Sequence, residues 1–244
     1  MARPKSDAVE IAFNYIRDQI NRYELKPGDV VSDSAITTRL SMSRTPVREA
    51  IQLLVGAGLI ERVNSKFLVT HIPYSVILDV FEIREALELL AARNIIRNGG
   101  LSEKQRFELR SIHQKFQENL EDRNLESNFH PDSEFHSTIV KFSGNDVAIN
   151  FMKDVELLSE RIRWLSILTP DRYRRSYREH DLILNSLEEG KLKSAEKHIK
   201  YHISNSLENY RRVTEIPDWE NIIISIRNSI LSGNKISDSG TVSM

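Results

Sequence analysis

Four side chains in the second half of the chain are of the types that bind divalent metal ions. Asp132 and His136 are four residues apart, so on a helix both project from one face and can share an ion. His180 and His202 each lie beside apolar residues at helical spacing, which places both imidazoles near a buried helix face. Three helices that each direct an imidazole or a carboxylate inward can form a cage for zinc, nickel or manganese.

These residues also have a simpler structural interpretation. Asp132 and His136 could be an exposed carboxylate–histidine pair, and a histidine on a core face is more often hydrogen-bonded than bound to metal. His198 lies one helical turn before His202 and could point to the same face in its place. From the residues alone, the metal site and the structural interpretation both stay open.

A second group of chemically competent residues lies near the N-terminus, on a predicted helix that follows a turn. Ser43 can cap this helix, and apolar residues recur behind it at helical spacing. Arg44, Thr45 and Arg48 fall on the opposite side, where a recognition helix presents side chains to base edges and phosphates in the major groove. From Ser34 to Arg48 the chain carries three arginines and no acid. This pattern predicts either a DNA-binding face or an ordinary solvated helix face.

Composition narrows the classes of function. The 244-residue chain is 40% hydrophobic and 28% charged, which is typical of a globular protein with one large or two modest domains. Its net charge of -1 excludes nucleic-acid binding by bulk charge, so a local patch must supply any DNA contact. The lack of cysteine excludes disulfides, thiol catalysis and Cys-ligated zinc. No apolar run suits a membrane span or a secretory signal, and we expect a cytoplasmic protein without membrane contact.

Periodicity predicts the elements that position both groups of residues. A helix over 7–22, a short helix that Ser32 or Asp33 caps, and the helix with Arg44 precede two strands at 59–63 and 67–70. Three helices followed by a hairpin are typical of a winged helix-turn-helix, predicted over residues 1–72. Only helical periodicity follows, and it predicts an all-helical antiparallel bundle over residues 75–213. The predicted helices of the bundle span 75–98, 102–122, 124–142, 146–168, 171–189 and 191–213. Residues 214–244 are predicted to form a docking helix and a flexible tail.

The N-terminal pattern resembles the signature of a known family. The run Ser43-Arg44-Thr45-Pro46-Val47-Arg48-Glu49-Ala50-Ile51, followed by Gly58-Leu59-Ile60-Glu61, resembles the GntR family of bacterial transcription regulators. The resemblance implies that Arg44 and Arg48 contact operator DNA, with Ser43 and Thr45 beside them. Departures from the family pattern are Ser41 in place of the usual turn glycine, Ser34 where many members carry a basic residue, and Lys66 in place of glycine at the wing tip. We therefore expect the wing to contact DNA by the charge of Lys66.

The bundle resembles the ligand-binding domain called FCD, which occurs in the FadR branch of the same family. The resemblance spans about 75–213 and rests on the motifs around Arg84, Asp132, His136, His180 and His202. It implies that Asp132, His136, His180 and His202 bind one divalent metal, with zinc favoured and nickel or manganese as alternatives. It also implies a small carboxylate effector, an organic or sugar acid, held beside the metal with help from Arg84.

Alternatives to these roles remain for the arginines. Arg84 could instead form a surface pair with Glu88, four residues further along its helix. The arginine-rich run 172–175 could add positive charge near the pocket or form a solvated face, and the solvated face is favoured. The sequence therefore does not decide which arginines face the bundle interior.

The two halves together predict a ligand-responsive DNA-binding regulator that represses transcription and is not an enzyme. Because one recognition helix covers one half-site, we expect a homodimer on palindromic operator DNA. One alternative is a metal-dependent phosphohydrolase of the helical HD type, since His180 and Asp181 are adjacent. Another is a DNA-binding protein whose helical domain only dimerises and senses no ligand.

Overall fold

The computed structural model describes residues 7–121, 125–164, 170–219, 221–222 and 224–225. The chain divides into two compact units, and the boundary falls between Pro73 and Tyr74. Residues 7–73 form the body of the first unit, and Tyr74–Trp219 form the body of the second.

The first unit has the predicted order of three helices and a hairpin. Its elements are α1 (Asp7–Asn21), α2 (Asp33–Leu40), α3 (Arg44–Gly56), β1 (Ile60–Val63) and β2 (Lys66–Val69). Helix α1 packs on α3, and the apolar face of each is buried, including Ile16 and Ile51. The strands pair antiparallel, with Ile60 opposite Val69. This arrangement confirms the predicted winged helix-turn-helix fold.

The turn between α2 and α3 explains one departure from the family pattern and corrects one prediction. Ser41 adopts a left-handed backbone conformation with φ of 52°, the region in which glycine is usually favoured. Ser32 caps α2 as predicted, because its hydroxyl accepts a hydrogen bond from the backbone N–H of Ala35. Ser43 occupies the position before α3, but its hydroxyl makes no capping hydrogen bond. The predicted cap by the Ser43 side chain is therefore wrong.

The hairpin is tighter than the sequence suggested. Lys66 is the first residue of β2 and pairs with Val63, so it belongs to the strand instead of the connecting loop. Asn64 and Ser65 alone connect the strands, and Asn64 has a φ of 55°. A two-residue connection of this kind matches the right-handed twist of paired strands.

The second unit is the predicted all-helical bundle, within the part that the structure describes. Its helices lie within a few residues of the predicted bounds. They are α4 (Tyr74–Arg97), α5 (Glu103–Glu121), α6 (Leu125–Phe142), α7 (Asp146–Trp164), α8 (Pro170–Glu188) and α9 (Leu192–Thr214). Helix α4 packs against α6 and α9, while α5 packs on both α6 and α8. Residues on α4, α6, α8 and α9 can therefore meet in one interior.

The C-terminal prediction cannot be compared in full. Helix α9 ends at Thr214, and most of the docking helix and tail predicted for 214–244 lies outside the described residues. Among the helices that are described, none is both long and apolar enough to cross a membrane.

Candidate metal centre and nucleic-acid interface

Three histidines from three different helices meet inside the bundle. His136 of α6, His180 of α8 and His202 of α9 are buried, and each offers a ring nitrogen within 4.8 Å of the others. The Nε2 atoms of His136 and His180 are 3.0 Å apart. Asp132, one turn before His136, places its Oδ1 3.5 Å from the Nε2 of His180. The structure thus brings together all four residues that the sequence suggested as metal ligands.

His198 does not compete with His202. Its Nδ1 lies 3.1 Å from the backbone oxygen of Leu182 and 3.0 Å from the hydroxyl of Ser186. These contacts face the neighbouring turn of α8, and His198 is not a member of the histidine group. The one-turn offset from His202 therefore separates the two imidazoles.

Buried carboxylates orient two of the three imidazoles. The Nδ1 of His136 is 2.9 Å from Oε2 of Glu88, and the Nδ1 of His202 is 2.8 Å from Oε2 of Glu179. Because an ionised carboxylate only accepts hydrogen bonds, each Nδ1 carries the proton and donates it. The lone pair of each neutral ring is then on Nε2, the form in which histidine binds a metal ion.

The electrostatics favour these protonation states. Burial lowers the pKa of His136 to about 4 and that of His180 well below its ordinary value. Burial also tends to raise the pKa of Glu179, but hydrogen bonds from His202 and Arg172 outweigh it and hold the pKa at about 2. At neutral pH the imidazoles are therefore neutral and the carboxylate beside them is ionised.

Glu88 is also ionised, although it is buried completely. Burial tends to raise its pKa, but the charges of His136 and Arg84 outweigh this effect and lower it well below the ordinary range. Because His136 is neutral at pH 7, the charge that keeps the pKa of Glu88 low at this pH is the guanidinium of Arg84.

These residues fit a divalent ion. Two nitrogen ligands at right angles around an ion, with metal–nitrogen bonds of about 2.1 Å, lie about 3.0 Å apart. The two facing Nε2 atoms of His136 and His180 have this separation. In addition, the Nδ1 of His180 is buried and has no hydrogen-bond partner among the described residues. A set of three imidazoles and one carboxylate is typical of zinc, nickel or manganese sites.

A cavity that opens to solvent adjoins the histidine group. Asp132 and His202 form part of its wall, together with Arg84 and Arg172. Arg84 is only 3% exposed, and its Nε donates to Oε1 of Glu88 at 2.8 Å. The pair with Glu88 therefore exists, but it is buried and not on the surface. The Nη2 of Arg84 is buried without a hydrogen-bond partner in the described part of the chain.

Arg172 follows the less favoured of the two alternatives that the sequence left open, because it lies at the pocket. A solvated face was favoured for it, yet it is 4% exposed. Its Nη2 donates to Oε2 of Glu179 at 2.7 Å and to Ser206 at 2.8 Å. Arg174 and Arg175 are exposed as predicted. The available signal was spacing, because Arg172 and Glu179 are seven residues apart and share one face of α8 after two turns.

The residues predicted to contact DNA lie on the surface of the first unit. Ser43, Arg44, Thr45 and Arg48 are exposed at the start of α3, and Lys66 is exposed on β2. The hydroxyl of Ser43, which caps nothing, has its hydrogen-bonding capacity left for another partner. The side chains thus form an exposed face at a helix N-terminus, where phosphates bind favourably.

One acid from outside the acid-free stretch 34–48 lies on this face. The Nε of Arg48 donates to Oδ2 of Asp33 at 2.7 Å, and this hydrogen bond is the main cause of a lowered pKa of Asp33. Asp33 is one residue outside the acid-free stretch. Since the Arg48 side chain is 64% exposed, the pair is a surface interaction worth at most about 1 kcal/mol, which phosphate can displace.

Comparison with known proteins decides the family. Residues 9–66 match the family of bacterial regulatory proteins of the gntR family, and residues 79–205 match the FCD domain. The chain belongs to the GntR family and carries an FCD domain. The repressor RspR of Escherichia coli K12 is 25% identical over 85% of this regulator and 91% of its own length. The Nta operon regulator of Aminobacter aminovorans is 29% identical over 80% of this regulator and 92% of its own length.

Solved structures show the same fold. McbR/YncC of Escherichia coli superposes with a TM-score of 0.75 at 19% identity, covering 85% of this regulator and 98% of the other chain. A GntR regulator from Rhodococcus sp. RHA1 superposes with a TM-score of 0.71 at 18% identity, covering 84% of this regulator and 98% of the other chain.

The family relationship identifies a transcription regulator and not an enzyme. The geometry of His180 and Asp181, the pair that suggested a phosphohydrolase, agrees with this conclusion. Although His180 is in the histidine group, the adjacent Asp181 is 43% exposed and accepts hydrogen bonds from Arg110 and Asn185. The two residues of the His–Asp pair therefore serve different contacts in this regulator.

Proposed function

We propose that this regulator binds palindromic operator DNA as a homodimer, represses transcription, and responds to a small carboxylate that binds beside a divalent metal. The observation that carries the proposal is the convergence of His136, His180 and His202 beside a cavity. Of the three, His202 lines this cavity, together with two buried arginines. It supports a metal-linked ligand site in a chain whose first unit exposes a recognition helix.

The metal ligands in this proposal are Asp132, His136, His180 and His202, with zinc the favoured ion and nickel or manganese the alternatives. A bound ion would supply positive charge and open coordination positions for an acid oxygen. Glu88 and Glu179 orient the imidazoles, and such outer partners contribute strongly to metal affinity. Arg84 would hold the effector carboxylate from the cavity wall, because its unpaired Nη2 can donate a charge-assisted hydrogen bond.

The DNA contacts in this proposal come from Ser43, Arg44, Thr45 and Arg48 on α3 and from Lys66 on the wing. One recognition helix reads one half-site, so specific affinity requires two copies of the chain on a palindrome. The repressor name of RspR, a relative over most of its length, motivates repression as the direction of control.

A stacked pair of tyrosines connects the cavity to the linker between the two units. Tyr210 lines the cavity, and its ring stacks on Tyr74 with centroids 6.1 Å apart and planes 7° apart. Tyr74 is the first residue of α4 and directly follows Pro73, which restricts the backbone of the linker. An acid that moves Tyr210 therefore acts on the residue at which the second unit begins, and it alters DNA affinity only if it binds one arrangement of the linker better.

The metal half of the proposal is tested by elemental analysis of protein purified without chelator. We expect about one divalent ion per chain, lost in His136→Ala and in His202→Ala. His198→Ala is the matched control, because it removes a histidine one turn away on α9 and should keep the ion. Wild-type protein that contains no metal and shows no thermal shift with zinc, nickel or manganese would remove the site.

The DNA half is tested by selecting duplexes from a random library and then titrating the selected sequence. Arg44→Ala and Arg48→Ala should abolish specific binding without loss of helicity. Arg93→Ala, which removes an exposed arginine of the second unit, is the control and should bind as wild type. Unchanged affinity of both recognition-helix variants would refute the assignment of α3. Sedimentation of the protein–DNA complex should give two chains per duplex.

A further inference from the structure

The three imidazoles of the histidine group are not held in the same way. His136 and His202 each donate from Nδ1 to a buried carboxylate, whereas the Nδ1 of His180 is buried without a hydrogen-bond partner among the described residues. The torsion that turns an imidazole about its Cβ–Cγ bond has broad minima, so the surroundings must fix the ring for one nitrogen to face an ion. Among the described residues, a contact other than a carboxylate orients His180.

The ring of Phe135 lies against the ring of His180. The two ring centroids are 4.4 Å apart, and the planes are within 13° of parallel. Both side chains are only 1% exposed. If the imidazole turned about its Cβ–Cγ bond, its edge would be driven into the face of the phenyl ring, which a close-packed interior does not allow. The stack therefore fixes the plane of the His180 ring.

The spacing of residues on α6 explains how Phe135 reaches this position. Asp132, Phe135 and His136 are at i, i+3 and i+4, so they share one face of the helix, and all three are buried. One turn of α6 thus carries two of the proposed metal ligands and the ring that stacks on a third ligand from α8.

Other ring contacts at the site differ from this stack. Phe116 of α5 is also fully buried against His180, but its centroid is 5.5 Å away and its plane is tilted by 34°. Phe135 meets His136 edge to face, at 5.4 Å and 87°, yet the ring of His136 is already held by Glu88. The parallel contact between Phe135 and His180 is therefore the one that orients an imidazole without a carboxylate.

We propose that Phe135 is a positioning residue of the metal centre, because its stacked ring holds the Nε2 of His180 3.0 Å from the Nε2 of His136. Phe135 does for His180 what Glu88 and Glu179 do for the other two imidazoles. It acts through His180 and supplies no ligand atom of its own. This inference rests on the metal centre proposed above and adds to it a residue that carries no polar group.

The first test compares the zinc affinities of two phenylalanine variants, by competition with a chromophoric chelator. Phe135→Leu removes the stacked ring but keeps an apolar side chain, and it should weaken zinc binding about tenfold or more. Phe116→Leu is the matched control, since it removes an equally buried ring beside the same histidine, and its zinc affinity should stay within about threefold of wild type. Equal losses in both variants would assign the effect to lost core packing and overturn the proposal.

Circular dichroism shows whether each metal-free variant is folded. If Phe135→Leu does not fold, Phe135→Met takes its place, because a flexible thioether chain fills irregular space in a core without supplying a ring. The visible absorption of cobalt-loaded protein is a second measurement, since it reports the geometry of the ligands around the ion. Phe135→Leu should change this spectrum, as His180→Ala does, and Phe116→Leu should not.

A double-mutant cycle shows whether Phe135 acts through His180. In the His180→Ala background, Phe135→Leu should change the residual zinc affinity, measured by calorimetry, by less than about twofold. A tenfold loss in both backgrounds would show an effect independent of His180 and would also contradict the proposal. If His180→Ala binds no measurable zinc, the comparison of Phe135→Leu with Phe116→Leu decides.

The outcomes separate this inference from the function on which it rests. If the wild-type protein binds no divalent ion, the proposed metal centre itself fails. If the wild-type protein binds zinc and Phe135→Leu binds it equally tightly, the positioning role is wrong while the metal centre stands.

Discussion

Replacing Glu88 by glutamine tests whether the buried carboxylates prepare the histidines for metal. Glu88 is completely buried and accepts the Nδ1–H of His136 at 2.9 Å and the Nε–H of Arg84 at 2.8 Å. Glutamine keeps the size of the side chain and one acceptor oxygen but removes the charge. The imidazole of His136 then loses the anion that fixes its tautomer and increases its basicity as a ligand.

Two magnitudes follow from this geometry. Loss of an outer carboxylate partner typically weakens metal binding 10- to 100-fold, which corresponds to about 1.4–2.7 kcal/mol. Loss of one member of a buried ion pair typically destabilises the fold by about 3–5 kcal/mol, here because Arg84 would be left without a counter-charge. Adding Arg84→Met to Glu88→Gln should therefore recover stability in part and leave the metal affinity low.

The assay is a competition titration of zinc against a chromophoric chelator at a temperature where circular dichroism shows that each metal-free variant is folded. Glu196→Gln is the matched control, since Glu196 forms an exposed pair with Arg93 and should bind zinc as wild type. A zinc affinity of Glu88→Gln within threefold of the wild-type value would refute the role assigned to the carboxylate.

Three further outcomes are expected. Metal-free protein should lose stability as the pH falls from about 6.5 towards 4, because the pKa of His136, about 4 in the folded protein, makes the unfolded chain the better proton acceptor. The loss from His136 alone should be on the order of 3 kcal/mol. Urea unfolding with chelator measures this loss, and added zinc should move it to lower pH. Tyr210→Leu should retain operator binding but reduce the effector's influence on operator affinity at least fivefold, since the stack on Tyr74 is lost; an unchanged influence contradicts that route. Asp33→Asn should strengthen binding to random duplex DNA several-fold at low salt and little at high salt, because Arg48 is released and an acid is removed; equal gains at both salt concentrations would contradict this electrostatic account.

The fold was largely predictable because its elements have strong local signals. The helices of 15–24 residues have a continuous apolar face, and the periodicity of their apolar residues predicts them. Breaks such as Gly99 and Gly190, which have positive φ, mark where bundle helices end. The wrong predictions concern positions where a single hydrogen bond decides the local conformation. Ser43 has a side chain suited to capping but does not cap, and Lys66 pairs in a strand where a loop was predicted.

The candidate site was predictable to a smaller extent, because it depends on contacts between distant helices. The resemblance to the FCD family named Asp132, His136, His180 and His202, and the fold places them together. It gave no indication that Arg172 is buried, since an arginine-rich run on a helix has the same pattern whether one member points inward or none does. Burial of a charge is decided by its partner, and Glu179 is two turns away on the same helix.

The same arrangement of an arginine, a carboxylate and a histidine occurs twice at the site. Arg84 binds Glu88, which orients His136, and Arg172 binds Glu179, which orients His202. In each case one carboxylate accepts from a guanidinium on the cavity wall and from an imidazole that faces the metal position. An acid that draws either guanidinium towards itself would therefore alter the hydrogen bond that supports one of the proposed metal ligands. Effector and metal would thus affect each other's binding, and linkage requires that the effect be equal in both directions.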